Sequence, residues 1–350
     1  MDNSCSLRVP GSTLGGMSTR SLPPELRSVP FRTSTASALG VPDGCLYGVG
    51  AHRVTHGVQA LDPPGAALAD QARAMQLALP EEGAFSHVTA ARLHGLPLPA
   101  WLERRPGLDV CTPSAMVRRR RPGWIGHRGA ESRAIVDVGG VRTIDVVDTW
   151  IDLAGLMVGR RPALSHHDLV VTGDEVLGRV LARLNAARGS RKAFRPHLDA
   201  ELVAAAYAII DATIDAKVRP RGKRALLTAR DRIRAGVKSP QESRARLVLV
   251  DAGFPEPLIN VPIHHPAGDF LGEGDLVWLA ERVVAEYQGR HHADPAQASH
   301  DEVRNRGLRD EEWDVHPLWA EDLWPGVRRQ QFLLRLALAL GLDLSTVTLS

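Results

Sequence analysis

In the stretch "VVAEYQGRHHADPAQ", residues 283–297, a β-branched run ends in Glu286 and Gln288, with His291 and His292 close behind. A strand alternates its side chains, so Val284, Glu286 and Gln288 share one face. That face turns polar where Gly289 ends the run. Eleven residues before Glu286, "FLGEGDLVWL" reads as another strand, with Asp275 on the face of Glu273 and Val277. A hairpin turn near 280–282 sets the two carboxylates at one end of a sheet. Carboxylates that close repel, and burying them together is costly unless a cation neutralises them. Two carboxylates with open positions left for water and phosphate are what Mg²⁺ takes. Such an ion polarises a phosphodiester and lowers the pKa of an attacking water. The bland alternative is a pair of solvated charges on a sheet edge, with His291 and His292 capping or facing solvent.

The elements that must position these residues begin at "SPQESRARLVLVDAGF". Ser239 is an N-cap, Pro240 fits the first helical position and Glu242 lies three after the cap. Glu242 can serve only as the returning arm of a capping box, or it can reach the carboxylate pair. A strand at "LINVPIHH", the two strands above, a helix over "PAQASHDEVRNRGLRDEE", a strand at "WDVHPL" and a helix over "GVRRQQFLLRLALALG" complete the order αβββαβα. One mixed sheet with helices on its faces is expected over 239–345. Tyr287 points to the face opposite Glu286 and is expected in the core, as are Trp278, Trp313 and Leu318. Asp301 and Arg304 can be an ordinary i, i+3 surface pair.

Upstream, residues 1–25 are rich in Ser, Gly and Pro without periodicity and read as a disordered tail. Residues 26–75 read as a degenerate winged-helix-like segment: two short helical patterns, then the strand-like "HRVTHGV". Its would-be recognition segment holds Gly48 and Gly50 and lacks the side chains that read base edges. Residues 76–185 alternate a helix, four short strands and two helices, an α+β middle domain. His166, His167 and Asp174 there suggest a metal by residue type, although solvated helix positions explain them better. Residues 186–238 form a helical basic linker. The fold class expected is therefore a multidomain α+β and α/β chain.

Composition is globular, with 44% hydrophobic and 24% charged residues. No apolar run reaches the ~18–20 residues of a membrane span, and Arg335 interrupts "FLLRLALALGL". The first residues lack the apolar block of a secretory signal. Cys5, Cys45 and Cys111 form no pair pattern, so a reducing cytoplasm is the expected compartment. Net charge is only +3, but residues 217–238 hold nine Lys/Arg and one acid, Asp231, and Arg118–Arg121 form a second run. Lys223 and Arg224 sit inside the first cluster, a candidate contact for nucleic acid.

Taken in order, Glu242, Asp275 and Glu286-Tyr287-Gln288 resemble the PD-(D/E)XK nuclease pattern. More closely, "GDLVW…VVAEYQGRHH…D…R" is similar to the restriction-endonuclease-like domain related to very-short-patch-repair endonucleases, over about residues 239–340. The resemblance implies a restriction-endonuclease-like fold and metal-dependent DNA cleavage. It implies catalytic roles for Glu242, Asp275, Glu286, Gln288 and His291 or His292, with Asp275 and Glu286 holding Mg²⁺ or Mn²⁺. Arg304, in the "D-x-x-R" begun by Asp301, would contact DNA. The family's Lys position holds Gln288, which can orient a water but brings no charge. Gly274 before Asp275 weakens the strand locally. "LPPELRSVPFRTSTASALGV" and "TAARLHGLPLP" resemble actinobacterial AbiEi-type antitoxins, which implies a toxin partner and a rival reading, a non-catalytic DNA-binding regulator.

Overall fold

The computed structural model describes residues 22–42, 46, 51–116, 121–158, 163–189, 199–265, 267–289 and 307–349. The chain divides into two compact units: one of residues 1–93 and 106–145, the other of 94–105 and 146–350.

The first unit contains two sheets. Strands β1 (Phe31–Arg32), β2 (His52–Thr55) and β3 (Val58–Ala60) form a small antiparallel sheet in the order β1-β3-β2, with α1 (Thr33–Ala38) following β1. Its core is Leu22, Leu26, Phe31, Ala36, Val41 and Leu46. The hairpin of β2 and β3 falls where "HRVTHGV" predicts a strand, and Gly57 takes the positive φ of its turn. Helices α2 (Leu68–Gln76) and α3 (His87–Leu93) accompany a five-stranded mixed sheet. That sheet comprises β4 (Ala84–Phe85), β5 (Leu108–Thr112), β6 (Trp124–Arg128), β7 (Ile135–Asp137) and β8 (Arg142–Ile144), in the order β6-β5-β4-β8-β7. The β7–β8 turn uses Gly139 and Gly140, both at positive φ.

The second unit opens with α4 (Ala100–Glu103), α5 (Val146–Ala154), α6 (His166–Ala187), α7 (Ala200–Asp215) and α8 (Lys223–Arg230). Ser165 and Asp168 cap α6 reciprocally, each side chain bonding the other's backbone N–H. Trp150 of α5 is fully buried and its indole N–H donates to Leu169 O at 2.8 Å. Residues 146–185, read from sequence with the middle domain, thus fall within this second unit.

Helix α9 (Pro240–Asp251) leads into β9 (Leu258–His264), β10 (Phe270–Trp278), β11 (Val283–Gln288), β12 (Asp314–Trp319) and α10 (Val327–Ala339). The sheet order is β12-β11-β10-β9; β9, β10 and β11 are antiparallel neighbours, and β12 runs parallel to β11. Pro262 and Pro317 lie on the two edge strands, where a missing N–H is tolerated. One core joins Ala245 and Leu249 of α9 and Phe332, Leu333 and Leu336 of α10 to Leu276, Trp278 and Leu318 of the sheet. A second forms from Val261, Ile263, Val277, Val284 and Leu308, with Trp313 packed against it. The class is mixed α+β with several sheets. The helix expected between β11 and β12 lies largely outside the described residues, although 307–310 are helical.

Candidate active site

The hairpin of β10 and β11 fixes the two carboxylates. Its register pairs Leu276 with Ala285, Val277 with Val284 and Trp278 with Val283. The pairing ends at Leu276, one residue from Asp275. The Asp275 Oδ2 accepts the main-chain N–H of Tyr287 at 2.9 Å, so this side chain reaches the strand beside Glu286. Glu286 is only 3% exposed, while Asp275 is half-buried. Gln288, also half-buried, ends β11 and pairs in parallel register with Trp319. Tyr287 packs against the core beneath α9 and α10, on the face away from Glu286, as alternation predicts.

On the other side of β10, Gly274 pairs with Val261 and Leu276 with Ile259, which places Asn260 across from Asp275. Asn260 is buried and holds a left-handed backbone, φ 49°, a conformation that Asn tolerates better than most residues. Its side-chain amide donates to Gly236 O at 2.9 Å and to Glu242 Oε2 at 2.6 Å. Glu242 Oε2 also accepts the backbone N–H of Lys238 at 2.9 Å. Ser239 Oγ accepts the Glu242 N–H at 3.2 Å, but the Glu242 carboxylate bonds Lys238 and Asn260 rather than returning to Ser239. Its part in the cap is therefore the backbone half alone. Asn260 thereby links Glu242 of α9 to the level of Asp275 on the sheet.

Gly274 has a packing role beside this level. A Cβ there would lie 2.5 Å from Val277 Cγ2 and 2.7 Å from Val284 Cγ2. Only glycine lets the strands close around Asp275 in this way. Lys238 Nζ pairs with Glu273, two residues before Asp275 on β10, bringing a cation to the carboxylate cluster. Sequence reasoning found neither Asn260 nor Lys238. Asn260 sits in an ordinary-looking strand segment, and only the register reveals its neighbours. His291, His292, Asp301 and Arg304 lie outside the described residues.

No family model matches the chain. Two curated relatives from different strains of Mycobacterium tuberculosis, each described as an uncharacterized protein, are 31% identical over 169 residues. The match takes 47% of this chain and 55% of each relative. The chain thus spans about half the length of the curated relatives it matches. No solved structure matches it.

Helix α9 is anchored from below by buried ions. Arg246 is 1% exposed, and its guanidinium meets Asp174 of α6 at 3.3 Å and Glu256 at 2.8 Å. Asp174 also accepts from Ser243 Oγ at 2.6 Å and from the Arg234 N–H at 2.7 Å. Burial pushes the Asp174 carboxyl up, against the pull of Arg246 and these donors. His167 donates to Asp251 at 2.6 Å, and burial with Arg232 nearby holds His166 below the ordinary histidine value. Asp174 is therefore buried rather than at the solvated helix position expected for it, because it answers the buried Arg246, while His167 is paired with Asp251. Among the described residues no group of three or more His, Cys, Asp or Glu is placed to hold a metal ion.

Most of the basic segment 217–238 is answered by acids. Lys217 pairs with Asp148, Arg230 with Asp211, Arg232 with Asp251, Arg234 with Glu256 and Lys238 with Glu273. Lys223 and Arg224 differ. Both are exposed in the first turn of α8, with no carboxylate partner among the described residues. Cations there oppose the helix dipole, so helix stability does not explain them. Of the second run, Arg118–Arg120 lie outside the described residues and Arg121 is described.

Proposed function

We propose that the chain is a metal-dependent DNA endonuclease whose site is the level of Glu242, Asp275 and Glu286. The observation that carries this reading is the Asp275 Oδ2 accepting the Tyr287 N–H at 2.9 Å, which brings its carboxylate to the strand beside a Glu286 that is 3% exposed. Neighbouring carboxylates, one of them buried, repel each other, and a divalent cation relieves that repulsion. Asp275 and Glu286 fit Mg²⁺ or Mn²⁺ in donor type, with water and phosphate oxygens completing the shell. When bound, the ion would polarise the scissile phosphodiester and acidify its attacking water. Glu242 would orient a water or ligand at the same level, itself held by Asn260. Gln288 would position the nucleophile through its amide. Lys238 stands close enough to Glu273 to bring positive charge toward a phosphate. The exposed pair Lys223 and Arg224 would contact the DNA backbone.

The second reading is a non-catalytic DNA-binding regulator of antitoxin type. What favours it is the state of Glu242, whose Oε2 already takes two donors, together with the uncharged Gln288. Cleavage separates the two. Incubated with a broad panel of DNA substrates, the protein should cut with Mg²⁺ or Mn²⁺ and not with EDTA. Glu286→Gln and Asp275→Asn should each lower the rate at least ~100-fold, about 2.7 kcal/mol of transition-state stabilisation. Wild-type rates in both variants would sink the assignment. No cleavage of any substrate, with specific operator binding, would favour the regulator.

A further inference from the structure

Helix α10 buries Phe332, Leu333, Leu336 and Ala337 in the core and still carries a second apolar line on its outer side. Val327, Leu334 and Leu338 are 67%, 37% and 62% exposed, and exposed Gln331 stands among them. Positions 327, 331, 334 and 338 step by four, three and four residues, the a/d spacing of a coiled-coil seam. Trp324, 70% exposed, lies three residues before Val327 and continues the count. Exposed apolar residues scattered singly need no explanation, but a continuous line of them marks a contact surface.

The flanks of the line say what covers it. With Val327 and Leu334 at d, Arg328 and Arg335 both fall at e, and α10 contains no Asp or Glu. Arg328 shares the buried Asp322 at 3.3 Å, while Arg335 is exposed with no carboxylate partner among the described residues. In a helix pair the e and g positions choose the partner by charge. A second copy packed antiparallel sets e against e, arginine against arginine, which repels it. A lipid surface takes an uninterrupted apolar face, where Gln331 would lose its hydrogen bonds. A helix pair tolerates one polar residue at an a position, where it sets the register.

We propose that the outer face of α10 docks an amphipathic helix of a partner protein, one whose apolar seam is flanked by acidic residues. The seam of that helix packs on Val327, Leu334 and Leu338, and its carboxylates meet Arg328 and Arg335. Gln331 fixes the register. The proposal is independent of the nuclease reading. Helix α10 shares its core with Tyr287, on the sheet face opposite Glu286, so an occupant leaves the carboxylates open.

The test is fluorescence anisotropy of the full chain with a labelled three-heptad peptide that carries Leu at a and d and Glu at e and g. One control peptide has Lys in place of every Glu; the other keeps the Glu and has Ser in place of every Leu. The Leu/Glu peptide should bind saturably and about tenfold or more tightly than either control. Leu338→Gln, a change at an exposed position, should weaken it about tenfold. Arg335→Glu should weaken it and tighten the Lys peptide, an exchange that misfolding cannot produce. No saturable binding of the Leu/Glu peptide would overturn the proposal. So would equal binding of the Ser control, which shows charge acting alone, or unchanged affinity in both variants. Sedimentation of the chain by itself and flotation with phosphatidylglycerol vesicles test the other occupants. A dimer, or vesicle binding, that Leu338→Gln abolishes would overturn the proposal in favour of a second copy or a membrane.

Discussion

Glu286 shows how one residue's meaning depends on its depth. In the sequence it is an acid at the end of a strand; in the fold it is buried, beside a second acid whose carboxylate accepts the N–H of Tyr287. Alternation alone predicted its face and the opposite face of Tyr287. It did not predict Asn260, because a left-handed Asn inside a strand leaves no periodic trace. Asp251 carries a prediction of its own. Burial pushes its carboxyl up, but the bonds from His167 and Arg232 outweigh burial and hold it below the ordinary value. A carboxylate lowered in the folded state stabilises above its unfolded pKa, about 3.9, and loses that effect as pH falls through the folded value. Asp251→Asn should therefore lower the melting temperature at pH 7, and the gap to wild type should close as pH falls below about 4. A gap that stays constant from pH 7 to pH 3 would contradict the pairing.

At the scale of elements, α9 and the hairpin β10–β11 place the candidate site, and both were legible. Ser239, Pro240 and Glu242 mark the start of α9 by cap chemistry, and the alternating runs mark the strands. The order β12-β11-β10-β9 was not legible, since pairing between distant strands leaves no local pattern. Nor was the state of the basic segment. Its partners Asp148, Asp211, Asp251, Glu256 and Glu273 are scattered along the chain, so its charges looked bare. The anchor of α9 was equally hidden, because Arg246 looks like any surface arginine of a helix. Its removal leaves Asp174 buried without its ion partner. Breaking such a pair typically costs about 3–5 kcal/mol. Arg246→Met should lose that much in urea unfolding, and adding Asp174→Asn should return part of it. A loss under about 1 kcal/mol would show that α9 is held by packing alone.

For the whole molecule, no helix of the described residues is long and apolar enough to cross a membrane. DNA binding should depend on salt through counterion release. With five of its nine cations paired to acids, Lys223 and Arg224 are, beside Arg219 and Arg221, two of the four exposed cations left without a carboxylate partner among the described residues. Changing both to Ala should flatten the slope of log K against log salt by about 1–2. Arg230→Ala, which breaks a pair with Asp211, should leave the slope unchanged. An equal effect of both changes would show that the pairs open on DNA. The most direct test of the central claim is a crystal structure with Mn²⁺, read by anomalous scattering at the manganese edge. The account predicts one strong peak bridging Asp275 and Glu286, lost in Glu286→Gln. A peak elsewhere, or none at saturating Mn²⁺, would contradict it.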